Sequence, residues 1–434
     1  MESTHQAPSG GPVRRQSPYA MVPVDEGLEV VLSHAATLPA VAVGLEAAVG
    51  LILAEDVVAP SPLPPFRASM MDGYAVRAED LPGDYPVIAE MMAGMAPDAV
   101  RVEPRTVVRI TTGAPVPTNA DAVVKVEDTL LLPEKDAEGR QVVRFSQTIT
   151  KGKAIRPIGC DLEKGQLVLS AGTLLQAAEI GLLATVGLHQ VNVRRPPRVA
   201  LLSTGDEVVS VGETLGPGQI YDSNRPMLMA AIAQYSSNTW ECIDLGIASD
   251  EPSLLEQKVQ EGLNKADVLI TSGGVSMGEL DLLQPLLERL GNVHFGRVLM
   301  KPGKPLTFAT VEVTDNDSSR TVLVFGLPGN PVSSMVTWQL FALPALRKLS
   351  GWEEPRLARV SAKLAMSLPL DPERPEYHRA SLKWNEEEHC YVANSTGEQR
   401  SSRLLSMRSA NALLCLPQRE GVLPVGTFVP ALIV

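Results

Sequence analysis

With 434 residues, 44% of them hydrophobic and 20% charged, the chain is globular in composition and long enough for about two to four domains. A net charge of −12 disfavours a general nucleic-acid binder, so an anionic ligand would need lysine and arginine gathered locally. No apolar run reaches membrane-spanning length, and the 4 cysteines, without a C-x-x-C, fit a reducing compartment and give no zinc signature.

Residues 1–18 are rich in Ser, Pro, Gly and Gln and lack the apolar core of a signal peptide. They read as a disordered tail, a short transit peptide being the alternative, and the expected location is cytoplasmic. An N-terminal region follows over 19–195. Val24 to Ala36 reads as an amphipathic helix, with Leu28, Val31 and Leu32 on one face. Pro60 to Phe66 holds four prolines and must be extended. From about 85 to 165 short strands broken by Gly and Pro read as a β-rich insertion. Glu179 to Val186 reads as a helix, and the two prolines between Arg194 and Arg198 mark a boundary.

Over 196–352 the pattern becomes strand–helix alternation. Strands are expected at Val199–Leu202, Cys242–Ile247, before Ser272, and near Val298 and Val324. Helices are expected at Asn224–Gln234, Pro252–Leu263, near Leu282–Leu290 and from Asn330 to Leu349. That alternation predicts a parallel sheet covered on both faces, a three-layer α/β/α domain. Residues 353–434 return to short β runs and read as a compact all-β module, in which Arg379, Arg403, Ser406 and Arg408 are candidate anion contacts.

The chemistry concentrates between Ala266 and Pro331. Three apolar runs stop in loops: Ser272-Gly-Gly-Val-Ser276-Met-Gly, Lys301-Pro-Gly-Lys304-Pro, and Leu327-Pro328-Gly329-Asn330-Pro331-Val-Ser333. In an open α/β sheet, ligands sit where strands end, so the loops should line one crevice. Gly273, Gly274 and Gly278 let backbone N–H groups face an anion. Ser272, Ser276 and Ser333 offer hydroxyls, and Lys301 and Lys304 add charge. Asp281 is out of place in an anion nest unless it binds a cation or moves a proton, which suggests an anionic substrate handled with a divalent metal. The loop after Leu202, Ser203-Thr-Gly-Asp-Glu207, brings Glu207 forward as a second candidate metal ligand.

Two sharper motifs compete. Gly274-Val-Ser276-Met-Gly278 has nucleophile-elbow spacing, and His294, His378 and His389 lie downstream, so a serine hydrolase using Ser276 is an alternative. Against it, the preceding strand ends near Thr271 and the next helix starts near Asp281, which puts Ser276 mid-loop rather than at a strand-to-helix corner. The Lys301–Pro305 segment is no P-loop, because the glycine spacing is absent and proline follows the lysine.

These loops, with Met71-Asp72-Gly-Tyr-Ala75, Thr111-Thr112-Gly-Ala-Pro115, Arg156-Pro-Ile-Gly-Cys-Asp161, Arg374-Pro-Glu-Tyr-His-Arg379 and the run from Ser401 to Asn411, resemble the molybdenum insertase family, which includes the gephyrin E domain and its plant counterparts. The resemblance covers about Tyr19 to Val434. It implies a molybdopterin molybdotransferase, which inserts molybdate into the dithiolene of adenylated molybdopterin and releases AMP with Mg²⁺ assistance. It also implies a homodimer with a β-rich lobe and a C-terminal β-barrel.

By the same resemblance, Ser276, Lys301, Lys304, Ser333, Arg379 and Ser406 contact molybdate and Asp281 is the essential acidic residue. Asp72, Thr112, Arg156, Asp161 and Glu207 match further functional positions, some of which serve the partner subunit's site. Only one Gly-rich α/β unit is found, so a separate molybdopterin adenylyltransferase must supply the substrate. Molybdenum-enzyme acceptors or the cytoskeleton are the other partners the resemblance suggests, and a gephyrin-like receptor scaffold is the binding-module alternative. Neither nucleic-acid binding nor membrane insertion is expected.

Overall fold

The computed structural model describes residues 19–274, 282–315 and 318–434. They form two compact units. The first comprises 19–54, 172–176 and 192–434, and the second 55–171 and 177–191. Among the described residues no helix is long and apolar enough to cross a membrane.

The core of the first unit is a six-stranded sheet in the order Glu241–Ala248, Arg198–Thr204, Val268–Ser272, Ser318–Leu327, Thr307–Asp315, Asn292–Phe295. The first four strands are parallel. The last two pair antiparallel, so the sheet is mixed rather than wholly parallel. Sequence reading missed the Thr307–Asp315/Ser318–Leu327 hairpin because it placed one strand near Val324 and none over Thr307-Phe-Ala-Thr-Val-Glu-Val-Thr-Asp315. The polar Asp315-Asn-Asp-Ser318 between them was the available turn signal. The expected strand near Val298 is only Val298–Leu299, and it pairs with Val22–Pro23 outside this sheet.

Alternation along each strand divides the core. Val199, Leu201, Val268 and Ile270 pack with Val31, Leu228, Ile232 and Phe341 on one face. Ala200, Leu202 and Leu269 pack with Leu255, Val259, Leu283 and Leu287 on the other. Both faces are therefore covered by helices, as the near-continuous apolar strands require. The expected helix from Asn330 to Leu349 is real but interrupted. It runs Pro331–Thr337, then a π turn over Trp338–Ala342, then Leu343–Leu349.

The same unit carries a closed barrel of Arg359–Leu364, Cys390–Ser395, Glu376–Asn385, Ala412–Leu416 and Phe428–Ile433. Its interior is filled by small and branched residues such as Ala362, Ala380, Leu382, Leu414 and Ala431. Lys301 is stitched to the barrel by its backbone. Its N–H donates to Pro375 O at 2.9 Å, and its C=O accepts from Tyr377 N at 2.8 Å.

The second unit holds a six-stranded sheet built from Gly73–Val76, Gly83–Met91, Val107–Ile110, Ala122–Lys125, Thr129–Lys135 and Gln141–Phe145. Tyr74, Tyr85 and Phe145 anchor one of its cores. Its strand Ala122–Lys125 is followed by a 3₁₀ turn over Val126–Asp128.

Candidate functional site

The chain leaves Arg198–Thr204 for one neighbouring strand, Glu241–Ala248, and later returns to the other side for Val268–Ser272. Strand order therefore reverses between Arg198–Thr204 and Val268–Ser272, and a crevice opens at their carboxyl ends. A cavity of about 410 Å³ lies there, lined by Ser203, Thr204, Glu207, Asn224, Ser272, Gly273, Gly274 and the Pro328–Pro331 loop. Gly273 and Gly274 adopt φ of 93° and 66°. A Cβ on Gly273 would meet Thr204 O at 2.8 Å, so this turn requires glycine.

A second cavity, of about 670 Å³, is lined by Lys301, Gly303, Lys304, Asn330, Ser333, Arg374 and the Gln399–Ser402 segment. Pro305, Asn330 and Ser333 belong to both, so the two are contiguous. The fold thus brings together Ser272, Gly273, Gly274, Pro328, Gly329, Asn330, Pro331, Ser333, Lys301, Lys304 and Glu207. Ser276 and Asp281 lie outside the described residues. Among the described residues no cluster of three metal-ligating side chains occurs. Glu207 enters no ion pair among them, and it lines the first cavity.

The second cavity has a cationic lining backed by two carboxylates. Lys301 Nζ lies 3.0 Å from Glu376 and 3.2 Å from Asp371. Burial alone would lower the Lys301 pKa, but these carboxylates outweigh it and hold it above the ordinary lysine value. Burial would raise Glu376, yet His378 and Lys301 hold it below the usual carboxylate range. His378 bonds Glu376 Oε1 through Nδ1 at 3.0 Å and Ser395 Oγ through Nε2 at 2.8 Å. That is the pattern of an acid–His–Ser relay, but the Ser395 hydroxyl accepts from Gly397 N–H at 3.1 Å, closing a local turn. His378, one of the histidines a Ser276 hydrolase could have used, is thereby occupied. Sequence reasoning passed over Glu376 and Asp371. The signal was a pair of acidic residues around the Arg374–Arg379 motif.

Arg379 and Ser406 are found together, but one layer behind this cavity's wall. Arg379 is fully buried, and Ser406 nearly so. The guanidinium donates to Ser406 Oγ and to Arg400 O, each at 3.3 Å. These bonds hold it beneath the 399–402 segment, whose Gln399 Oε1 accepts from Arg379 N–H at 2.8 Å. Its Nη1 is buried and has no partner among the described residues. Burial pushes the pKa of Arg379 down to about 10, with only the more distant charge of Glu376 opposing. A buried cation with no bonded carboxylate is costly by itself, and it gives the adjacent cavity a positive field. Arg408 instead lines an apolar groove with Met227, Tyr235 and Leu405. Arg403 is half-exposed beside Glu398.

The remaining predicted residues lie in the second unit. Asp72 accepts from Thr112 N–H at 2.7 Å and from its hydroxyl at 3.1 Å. These bonds lower the Asp72 pKa. Arg156 and Asp161 form an ion pair. The two pairs flank the same short strand, Ala68–Ser69, which bonds to Ile155–Arg156 on one side and accepts from Gly113 N–H on the other.

Comparison with known proteins bears on these cavities directly. The MoeA N-terminal region (domains I and II) matches residues 22–187, a probable molybdopterin binding domain matches 200–348, and the MoeA C-terminal region (domain IV) matches 361–434. A molybdopterin molybdenumtransferase of Haemophilus influenzae is 36% identical, with 88% of this chain and 91% of that protein aligned. The chain belongs to the molybdopterin molybdenumtransferase family. Gephyrin of Dictyostelium discoideum is 41% identical over 98% of this chain, but the chain spans only 64% of that protein's length. The fold agrees with a crystal structure of the molybdopterin biosynthesis MoeA protein from Pyrococcus horikosii, at 30% identity and a TM-score of 0.78 over 95% of this chain and 99% of that one. The match to a probable molybdopterin binding domain spans every residue that lines the first cavity.

Proposed function

We propose that this protein transfers molybdenum from molybdate to the dithiolene of adenylated molybdopterin, with release of AMP. The observation that carries the reading is the pair of contiguous cavities sharing Asn330 and Ser333. One is lined by Lys301, Lys304, Arg374 and Arg400 and suits a tetrahedral dianion. The other is lined by a glycine turn and by hydroxyl and amide groups, and it suits a polar heterocycle. An anion in the first and a pterin in the second would meet at the shared wall, where metal–oxygen bonds are exchanged for metal–sulfur bonds, the dithiolene thiol protons leave with the displaced oxygen as water, and a further water cleaves the phosphoanhydride to free AMP.

The chain's own residues then divide the work. Lys301 and Lys304 neutralise the dianion, and Arg379 adds its field from behind. Ser333 and Asn330 orient the anion at the junction, with Ser276 as a further hydroxyl donor. Mg²⁺ would be held by Glu207 and Asp281 with a substrate phosphate, a sparse ligand set of the kind this ion accepts, and when bound it would neutralise charge on that phosphate. The active form in this reading is a cytoplasmic homodimer, in which some of Asp72, Thr112, Arg156 and Asp161 serve the partner's site. A separate adenylyltransferase supplies the substrate.

The test is to incubate the purified protein with adenylated molybdopterin, Mg²⁺ and molybdate, and to measure AMP release and cofactor formation. AMP release that does not depend on molybdate would overturn the reading. Sedimentation at micromolar concentration should show about twice the 46.4 kDa chain mass, and a clean monomer would remove the shared site.

A further inference from the structure

Asn224 begins the helix Asn224–Tyr235 and is buried, 8% exposed, in the wall of the heterocycle cavity. Its Nδ2 donates to Ser272 Oγ at 2.6 Å and to Gly329 O at 2.7 Å. A primary amide has two N–H hydrogens, so both are used. Gly329 O can only accept, so the nitrogen must face it, and the network fixes the amide against a flip. The carbonyl Oδ1 is then held rigidly and buried, and among the described residues it has no hydrogen-bond partner.

Two further side chains in the same wall are in the same condition. Ser203 Oγ and Thr204 Oγ1 are buried and have no partner among the described residues, on side chains of residues only 2% and 4% exposed. Buried polar atoms are nearly always satisfied, so three orphans around one cavity point to a ligand that completes them. They are not equivalent. A hydroxyl rotates and serves as donor or acceptor, whereas the fixed Oδ1 accepts only. Of the three, only Asn224 can reject a ligand for lacking a donor.

We propose that Asn224 is the specificity-determining residue of this cavity, its carbonyl accepting a hydrogen bond from the exocyclic amine of the pterin. This rests on the reading of the cavity given above. Ser203 and Thr204 then take the neighbouring ring atoms in whichever sense the heterocycle presents. The same amide ties the Ser272 and Gly329 loops, so ligand recognition and loop position share one side chain.

The probe is pterin-6-carboxylate, titrated by its fluorescence against the wild-type chain, Asn224→Ala and Asn224→Asp, with thermal melts confirming the fold. Asn224→Asp keeps the acceptor and loses both donors, whereas Asn224→Ala loses everything. An acceptor role predicts at least a tenfold loss for Ala and a clearly smaller one for Asp. A loop-tying role alone makes the two losses equal, and that result, or no loss in either, overturns the proposal. A ligand-side arm needs no variant. The 2-oxo analogue, lumazine-6-carboxylate, sets a carbonyl against Oδ1 and should bind wild type at least tenfold more weakly than the pterin; equal binding also overturns the proposal. Should wild type bind neither compound, the assignment of the cavity to a pterin fails first and takes this proposal with it.

Discussion

Lys301 Nζ and Glu376 Oε2 meet at 3.0 Å, and the ammonium is the member of the pair that lines the anion cavity. The carboxylate sits behind it, held on its other oxygen by His378. The cation is thus positioned by a group that repels the ligand it serves. Removing the lysine costs a charge-assisted contact of about 1.5–3 kcal/mol, so Lys301→Ala should weaken molybdate binding roughly tenfold to a hundredfold. Glu376→Gln should act in the opposite sense on affinity. Calorimetry is expected to show molybdate bound at least as tightly, while thermal unfolding shows a loss of about 1–3 kcal/mol from the broken buried network. Weaker binding by Glu376→Gln would mean that orientation of Lys301 matters more than charge.

The strand-end glycines allow a backbone test. Gly273 combines a φ of 93° with a Cβ position only 2.8 Å from Thr204 O. Gly273→Ala should therefore cost on the order of 1–3 kcal/mol and disturb the heterocycle cavity before the anion cavity, which Gly273 does not line. Thermal melts with separate pterin and molybdate titrations check both halves. Unchanged stability would show that the turn relaxes without penalty.

How much of this was legible in the sequence depended on range. The strand-end loops were readable because glycine, small hydroxyls and lysine stop apolar runs in local motifs, and α/β alternation implies where those loops gather. The Lys301–Glu376 pair was not readable, because it joins a loop before the sheet hairpin to a barrel strand 75 positions on, and no local pattern encodes that register. Arg379 was recognised as an anion contact, but its burial behind Gln399 and Arg400 depends on tertiary packing. Asn224 was seen only as the start of a helix. That its amide would bridge two loops follows from strand order, not from spacing.

A pH effect should arise at the edge of the sheet opposite Glu241–Ala248. His294, on the edge strand Asn292–Phe295, has its ring 4.0 Å from that of His34 and bonds Thr310 Oγ1 at 2.9 Å. Burial, with the nearby His34, lowers the His294 pKa from its ordinary value near 6.5. The folded state therefore binds this proton less readily than the unfolded chain. Its contribution to stability is complete above about pH 6.5 and is lost as pH falls through the lower folded value. Melting temperature should drop between pH 7.5 and 5.5, and His294→Gln should drop less over that interval. Parallel pH profiles for the two proteins would discount the histidine.

Arg379 supplies the sharpest separation of stability from binding. It is fully buried, its Nη1 has no partner among the described residues, and its bonds there go to a hydroxyl and a carbonyl rather than to a carboxylate. Such a charge is a burden on the anion-free fold, and burial lowers its pKa to about 10 for that reason. Replacing a buried ionic group by an apolar one of similar volume is often neutral or stabilising. Arg379→Met should therefore melt, without molybdate, at or above the wild-type temperature. An anion in the adjacent cavity relieves the wild-type charge, so molybdate at about 100 times its Kd should stabilise wild type by roughly 2.7 kcal/mol. At that concentration Arg379→Met should show little or no shift, having lost the field that attracts the dianion. The two measurements exclude different things. A variant that unfolds without molybdate would make Arg379 a structural residue, and one that keeps the wild-type molybdate shift would place the anion out of its reach.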